Sequence, residues 1–285
     1  MIVVTGATGT VGREVVRLLA GRGERVRAMT REPSKVAALP GAEVVQGDFD
    51  DPGSLAGVAR GADAVFLLSA PGPWLARHDE AMVMAAQVAG VRKVVKVSAI
   101  GAGEEHGGAR VGGWHLAGEQ ALRSGELEWT VLRPSSFASN ALRWVPQIRQ
   151  GLPVPNTTGN GKQGVIDPRD VAEVAVAALT SDEHVRTVLT LTGPELLSVP
   201  DMAKALGETL GRAVETVDVP LEVYRKQMIA AGVDPEFVDV AVDGSRIVAQ
   251  DGNARLTHDV ERVLGRMPRT FLTWAADHSA AFVSG

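Results

Sequence analysis

Apolar positions follow two rhythms along the first half of this chain. Short, nearly uninterrupted apolar or β-branched runs at Ile2–Thr5, Arg25–Thr30, Ala42–Gln46, Ala64–Ser69, Lys93–Ser98 and Glu128–Arg133 read as strands. Between them, Gly9–Arg22, Pro52–Ala59, His78–Gly90 and Leu116–Ser124 carry helical spacing. Strands that are apolar throughout are buried on both faces, and regular strand–helix alternation makes the sheet parallel. The pattern predicts an α/β fold built on a doubly wound parallel sheet.

After Arg133 the alternation loosens. Residues 151–164, rich in Gly, Pro, Asn and Thr, read as a loop or short hairpin. A helix over Asp170–Leu179 and a strand near Val188–Thr192 return to the main sheet, and Pro200–Gly211 reads as a further helix stopped by its glycine. From Val219 the tail is mostly helical, with breaks near Gly232–Pro235 and Gly265–Pro268. The expected organisation is one domain over residues 1–150, with 165–192 returning to it. A smaller, mostly helical C-terminal lobe then takes 151–164 and 193–285.

Composition narrows the function classes. With 45% hydrophobic and 22% charged residues, the 285-residue chain has ample material for a globular core. A net charge of −5 without a Lys/Arg block gives no electrostatic case for nucleic acid or an anionic membrane. The absence of cysteine excludes disulfides, thiolate nucleophiles, iron–sulfur clusters and cysteine-ligated zinc. His78, His106, His184, His258 and His278 are scattered without metal-ligand spacing, so no metal is expected. No run approaches the ~20 apolar residues that cross a bilayer, and no basic leader precedes the first strand. A cytoplasmic location is the expectation.

The densest motif is Thr5-Gly6-Ala7-Thr8-Gly9-Thr10-Val11-Gly12, placed directly after the first strand and opening a long amphipathic helix. In that context Gly6 permits the tight turn, Gly9 lets the backbone approach a diphosphate, and Gly12 allows close helix–sheet packing. Thr8, Thr10 and Val11 complete a cradle of backbone N–H groups at the positive end of the helix. This is the signature of a Rossmann-type dinucleotide-binding domain. At the end of the second strand, where an NAD site usually carries an acid, stand Arg31 and, nearby, Lys35. A guanidinium pairs bidentately with a 2′-phosphate, so NADP(H) is preferred while NAD(H) stays open. Asp48 and Phe49 follow the third strand at the expected adenine edge. Asp48 either accepts from the adenine amino group or ends the strand and caps the next element.

These segments carry a family resemblance. The glycine motif, Met-Thr-Arg at 29–31, Gly-Asp at 47–48, Lys-Val-Ser at 96–98, Leu-Arg-Pro at 132–134 and Asp-Pro-Arg-Asp-Val-Ala at 167–172 resemble the atypical short-chain dehydrogenase/reductases. Within that group the chain is similar to the NmrA-like family, which includes NAD(P)H-dependent quinone and azo-dye reductases, isoflavone-reductase-type enzymes and redox-sensing regulators. The resemblance extends into the tail at 260–266 and implies fold more strongly than activity.

Enzymes of the wider family use a Tyr-x-x-x-Lys pair. Aligned on Leu116–Leu122, Val111 takes the tyrosine position and His115 the lysine position, and the single tyrosine, Tyr224, lies far outside. The resemblance therefore does not carry the phenol–lysine mechanism. What remains are Ser98, His115 and the hydroxyls of Ser135 and Ser136. His115 is a candidate either for holding the nicotinamide ribose or for donating a proton, since imidazole titrates near neutrality. The alternative is that it only positions the cofactor or packs. Ser98 either bonds backbone near the nicotinamide or acts on substrate.

Ligands of such sheets lie outside the carboxyl ends of the strands, which places Ser69, Ala70, Pro134 and Phe137 along the cofactor. Trp74, Trp114, Phe137 and Trp144 offer flat apolar faces for a planar ligand, or else pack beneath the loops at those ends, and Asn140 joins them in the expected substrate pocket. The glycine-rich stretch 99–114 reads as a lid. Asp170 reads as a helix N-cap, with Asp167 and Arg169 fixing the preceding loop. The sequence thus points to an NADPH-dependent oxidoreductase acting on a small, planar, apolar carbonyl, quinone or enone. The alternative is a non-catalytic NADP(H)-sensing regulator that binds a partner protein. A nucleotide-sugar epimerase is disfavoured because its chemistry needs a strong base. A homodimer is left open.

Overall fold

The computed structural model describes residues 1–35, 39–106, 109–110 and 112–283. Its main sheet contains β1 (Ile2–Val4), β2 (Val26–Thr30), β3 (Ala42–Gln46), β4 (Ala64–Leu67), β5 (Lys93–Val97), β6 (Glu128–Pro134) and β7 (Thr187–Leu191). All seven run parallel in the order β3-β2-β1-β4-β5-β6-β7. Every strand read from the sequence is present. The order reverses between β1 and β4, which opens a crevice at the carboxyl ends of those two strands.

Helices α1 (Thr10–Gly21), α2 (Pro52–Ala59), α3 (Leu75–Val88), α4 (Gly113–Ser124) and α5 (Pro168–Thr180) cover both faces. On one face, Val15, Val16 and Leu19 of α1 join Val171, Val174 and Ala175 of α5 in a single core. On the other, Leu55 and Val58 of α2 pack with Met82 and Val83 of α3 and Leu122 of α4. The helical spacing of these apolar positions supplies a buried stripe on the outer helices, whereas α5 is buried on most of its circumference.

The N-cap of α5 is Asp167, whose side chain accepts from the Arg169 amide at 2.8 Å. The sequence expectation of Asp170 in that role fails because Pro168 fills N1, the helical position that tolerates a missing N–H. Asp170 is instead fully buried, and it accepts from Arg266 at 2.7 Å and also pairs with Arg269.

A third core, containing Met202, Leu206, Phe271, Trp274 and Phe282, lies in the C-terminal part of the chain. It is built on α6 (Val199–Leu210) and α10 (Phe271–Asp277); α7 (Leu221–Ala230), α8 (Pro235–Ala249) and α9 (Asp259–Leu264) lie between them in sequence. A capping box between Ser198 and Asp201 starts α6, and Gly211, at φ 65°, ends it. Val154–Asn156 is not half of a hairpin: it pairs in parallel with Thr216–Asp218, a partner that arrives some sixty residues later. Part of the tail returns to the main sheet, because Val260 of α9 is buried in the first core and Asp259 accepts from the Thr190 amide of β7 at 2.7 Å. Among the described residues, no helix is long and apolar enough to cross a membrane.

Candidate functional site

The crevice is a cavity of about 960 Å³. Gly6, Thr8, Gly9, Arg31, Asp48, Phe49, Ser69, Ala70 and Trp74, all candidates from the sequence, line it together with Arg13, Glu32, Asp50, Arg77 and His78. Gly6 and Gly12 are sterically required. Gly6 has φ +60°, and a Cβ on Gly12 would lie 2.1 Å from the Gly6 carbonyl oxygen, so the first turn of α1 packs on the turn after β1 only with hydrogen at that position. Gly9 caps α1 without a side-chain hydrogen bond. The amides of Thr10, Val11 and Gly12 consequently have no capping side chain and form a cradle that fits a diphosphate.

Arg31 leaves β2 on the cavity wall, and Arg13 stands one turn into α1; both are exposed. Neither forms an ion pair with a described residue. That leaves two guanidinium groups able to bind an anion. Lys35 closes a short turn, Pro33–Lys35, and its side chain lies outside the described residues. Of the two roles left open for Asp48, the helix cap goes elsewhere: its Oδ1 accepts from the Asp50 amide at 3.0 Å within the turn, and the residue lines the cavity. Asp51, not Asp48, caps α2. Phe49 stacks on His78 with ring centroids 5.1 Å apart, and Asp50 pairs with Arg77 at 2.6 Å and His78 at 3.1 Å. These contacts make a flat wall at the outer end of the cavity.

Behind the inner end, ionisable groups are buried among β4, β5, α3 and α4. Ser69 donates to Asp79 Oδ1 at 2.7 Å; Asp79 Oδ2 contacts Lys96 Nζ at 2.5 Å; Lys96 Nζ lies 3.5 Å from His115 Nδ1. The Asp79 and Lys96 side chains are each 1% exposed. Burial pushes the Asp79 carboxyl above its ordinary range, against the pull of Lys96. Burial, then the charges of Lys96 and Arg133, lower His115 to about 3. His115 is therefore a neutral imidazole near pH 7. The cationic proton donor considered from sequence is corrected: a ring desolvated beside two cations does not hold a second proton.

Ser98 is likewise engaged. It is buried and donates to Glu119 Oε1 at 2.6 Å. Glu119 also accepts from Arg123 at 2.8 Å and from Arg133 at 3.0 and 2.7 Å. Burial acts against ionisation, but the hydrogen bonds from Arg133 and Ser98 hold the Glu119 carboxyl below the usual carboxylate range. The Ser98 hydroxyl proton is committed to Glu119, so direct action on a substrate is replaced by a structural bond. Ser135, after β6, has a buried Oγ with no partner among the described residues.

The remaining sequence candidates do not converge on one pocket. Trp74 lines the cavity, 39% exposed. Trp114 stacks on Phe237 at 6.1 Å and donates to Glu236 at 3.2 Å, tying the start of α4 to α8. Phe137 packs against the first core and bridges to Ile166. Asn140 donates to Ser136 at 3.3 Å. Trp144 packs against the third core, so packing outweighs a ligand role there. Pro134 is buried at the end of β6. In the glycine-rich stretch, Glu105–His106 pairs with Ala109–Arg110, and Glu104 forms an ion pair with Arg255 of the tail. Val111 lies outside the described residues, and Tyr224 sits on α7.

The residues that sequence reasoning missed are Arg13, Asp79, Lys96, Glu119 and Arg133. The available signal was two lysines, Lys93 and Lys96, inside a strand otherwise made of valine, because a charge in such a strand requires a buried partner.

Comparisons with known proteins agree with this architecture. A family model for NAD(P)H binding matches residues 6–182. The chain is 35% identical over 283 residues to (4-alkanoyl-5-oxo-2,5-dihydrofuran-3-yl)methyl phosphate reductase of Streptomyces griseus, covering 99% of both chains. It is 34% identical over 284 residues to NAD(P)H azoreductase of Xenophilus azovorans, again covering 99% of both. Among solved structures, NADPH-dependent quinone oxidoreductase of Escherichia coli, complexed with NADPH, superposes with a TM-score of 0.85 at 22% identity over 97% of this chain and 99% of that one. Triphenylmethane reductase of Citrobacter sp., complexed with NADP(H), gives 0.84 at 22% identity over 98% and 100%. The chain belongs to the NAD(P)H-binding family and stands among its oxidoreductases.

Proposed function

We propose that the protein is an NADPH-dependent reductase acting on a small planar carbonyl, quinone or enone. The observation that carries this reading is the cleft, whose wall combines the glycine turn Gly6, Thr8 and Gly9, which opens α1 without a side-chain cap, with two guanidinium groups that have no carboxylate partner among the described residues. Thr8, Gly9, Thr10, Val11 and Gly12 would hold the diphosphate, Arg31 with Arg13 the 2′-phosphate, and Asp48 and Phe49 the adenine edge. The nicotinamide end then runs past Ser69 and Ala70 toward Ser98, His115, Pro134 and Phe137. NADPH supplies the hydride when bound; the chain supplies position and a cavity that excludes water.

The lobe formed by 151–164 and 193–285 gives the substrate its second wall in this reading, joined to the cofactor domain through Trp114 and the Glu104–Arg255 pair. Trp74 offers a flat apolar surface on the cavity wall, and Phe137 and Asn140 stand after β6. Support for the substrate class comes from the two curated relatives, named for an oxo-dihydrofuran phosphate and for azo reduction. With His115 neutral, an electron-poor acceptor that takes hydride without prior protonation suits the site. The test is NADPH oxidation with a panel of quinones and enones. Steady turnover upholds the reductase; tight NADPH binding without turnover on any acceptor supports the sensing regulator instead.

A further inference from the structure

We propose that Lys96 is a positioning residue for His115: its buried ammonium fixes the ring as the neutral tautomer protonated on Nε2, which presents a hydrogen-bond donor to the oxygen of the bound substrate. This rests on the reductase reading for its purpose, but not for its geometry.

Three observations carry it. Lys96 Nζ is anchored between Asp79 Oδ2 at 2.5 Å and the Val97 carbonyl at 3.1 Å, and the residue is 1% exposed, so its head group has little freedom. An ammonium has only donors, and its third contact is His115 Nδ1 at 3.5 Å; that nitrogen must therefore be the unprotonated one. Nε2 then carries the proton, and it has no partner among the described residues.

The third observation is Gly118. It sits inside α4, three residues after His115, where glycine is a poorer helix former than alanine. A Cβ there would lie 2.6 Å from the Asp79 carboxylate and 2.8 Å from Lys96 Cε. The missing side chain is the space the ion pair occupies against the helix that bears His115. The charged groups around the ring are Lys96 from β5, Asp79 from α3, Arg133 from β6 and Glu119 on its own helix; the last two pair with each other. During reduction the hydride's electron pair displaces charge onto the substrate oxygen. The Nε2–H group stabilises that charge without transferring its proton, which water supplies later.

The experiment uses the full chain with 15N-labelled histidine, His115 being assigned by its loss in His115→Gln. Long-range 1H–15N correlation in the absence of cofactor should show a neutral ring protonated on Nε2 that does not titrate between about pH 5 and 8. Lys96→Met leaves Asp79 buried and alone, so the paired variant Lys96→Met/Asp79→Asn, which removes both charges and keeps an acceptor for Ser69, guards against simple unfolding. In that variant the tautomer preference should be lost and the ring should titrate at higher pH. With an accepted substrate, kcat should fall about 10- to 100-fold while the NADPH Kd is unchanged. A wild-type ring protonated on Nδ1, or a paired variant with an unaltered His115 spectrum, overturns the proposal. Absence of turnover on every acceptor overturns the reductase reading and leaves the spectral result to decide this one.

Discussion

The two ends of the crevice treat charge in opposite ways. At the outer end Arg13 and Arg31 stand exposed, in reach of the cavity and without described carboxylate partners. At the inner end Lys96, Asp79 and Glu119 are each 1% exposed, and every one touches an opposite charge. An exposed unpaired cation costs the folded chain little and is available to a phosphate. A buried ion is stable only while its partner stays, so such a group maintains geometry rather than recruiting ligand. Binding strength should therefore reside in the outer arginines, and the shape of the reaction end in the buried pairs.

The sharpest way to break this contrast is Glu119→Ala. It leaves Arg133 and Ser98 without their shared acceptor and should destabilise the fold by about 3–5 kcal/mol, read from urea denaturation. A loss under about 1 kcal/mol would mean that water reaches the cluster. Arg31→Ala should leave folding intact and weaken NADPH by about 1.5–3 kcal/mol, roughly 10- to 150-fold in Kd, with NADH unaffected. Equal losses for both coenzymes in calorimetry would remove the 2′-phosphate contact.

A smaller effect concerns pH. Burial, with Lys96 and Arg133, lowers folded His115 to about 3 from an ordinary 6.5, so the unfolded chain binds a proton that the folded chain refuses. This contribution is fully present above about 6.5 and is lost as pH falls toward 3, at up to about 1.4 kcal/mol per pH unit. Stability curves of His115→Gln should be correspondingly flatter below about pH 6.5; a parallel curve would contradict the neutral ring. Least affected should be Arg246→Ala, which removes an exposed pair with Asp243 and should change stability by about 0–1 kcal/mol in thermal melts.

The same contrast explains which features are legible in the sequence. The central strands of the main sheet announce themselves because both faces are buried, and the glycine motif because close approaches at Gly6 and Gly12 forbid a side chain. The outer end is readable as well: Arg31 and Asp48 follow directly on strand ends. The inner end is not, since Asp79, Lys96 and Glu119 come from three elements and only the folded packing brings them together. Asp170 passes for a cap because its partners, Arg266 and Arg269, lie almost a hundred residues away. Residues 151–164 offer turn chemistry but no sign of the distant strand that pairs with Val154–Asn156. Trp144 shows that an aromatic on a promising loop is decided by the nearest core.

The pairing of Asp170 also bears on how the chain matures. During synthesis α5 leaves the ribosome well before the segment that neutralises its fully buried carboxylate. Until Arg266 and Arg269 have emerged, seating that helix against α1 would strand a negative charge in an apolar layer. The segment bearing those two arginines therefore ties the tail to α5, and truncating the chain before Arg266 should cost the N-terminal half more stability than the exposed surface of the tail suggests.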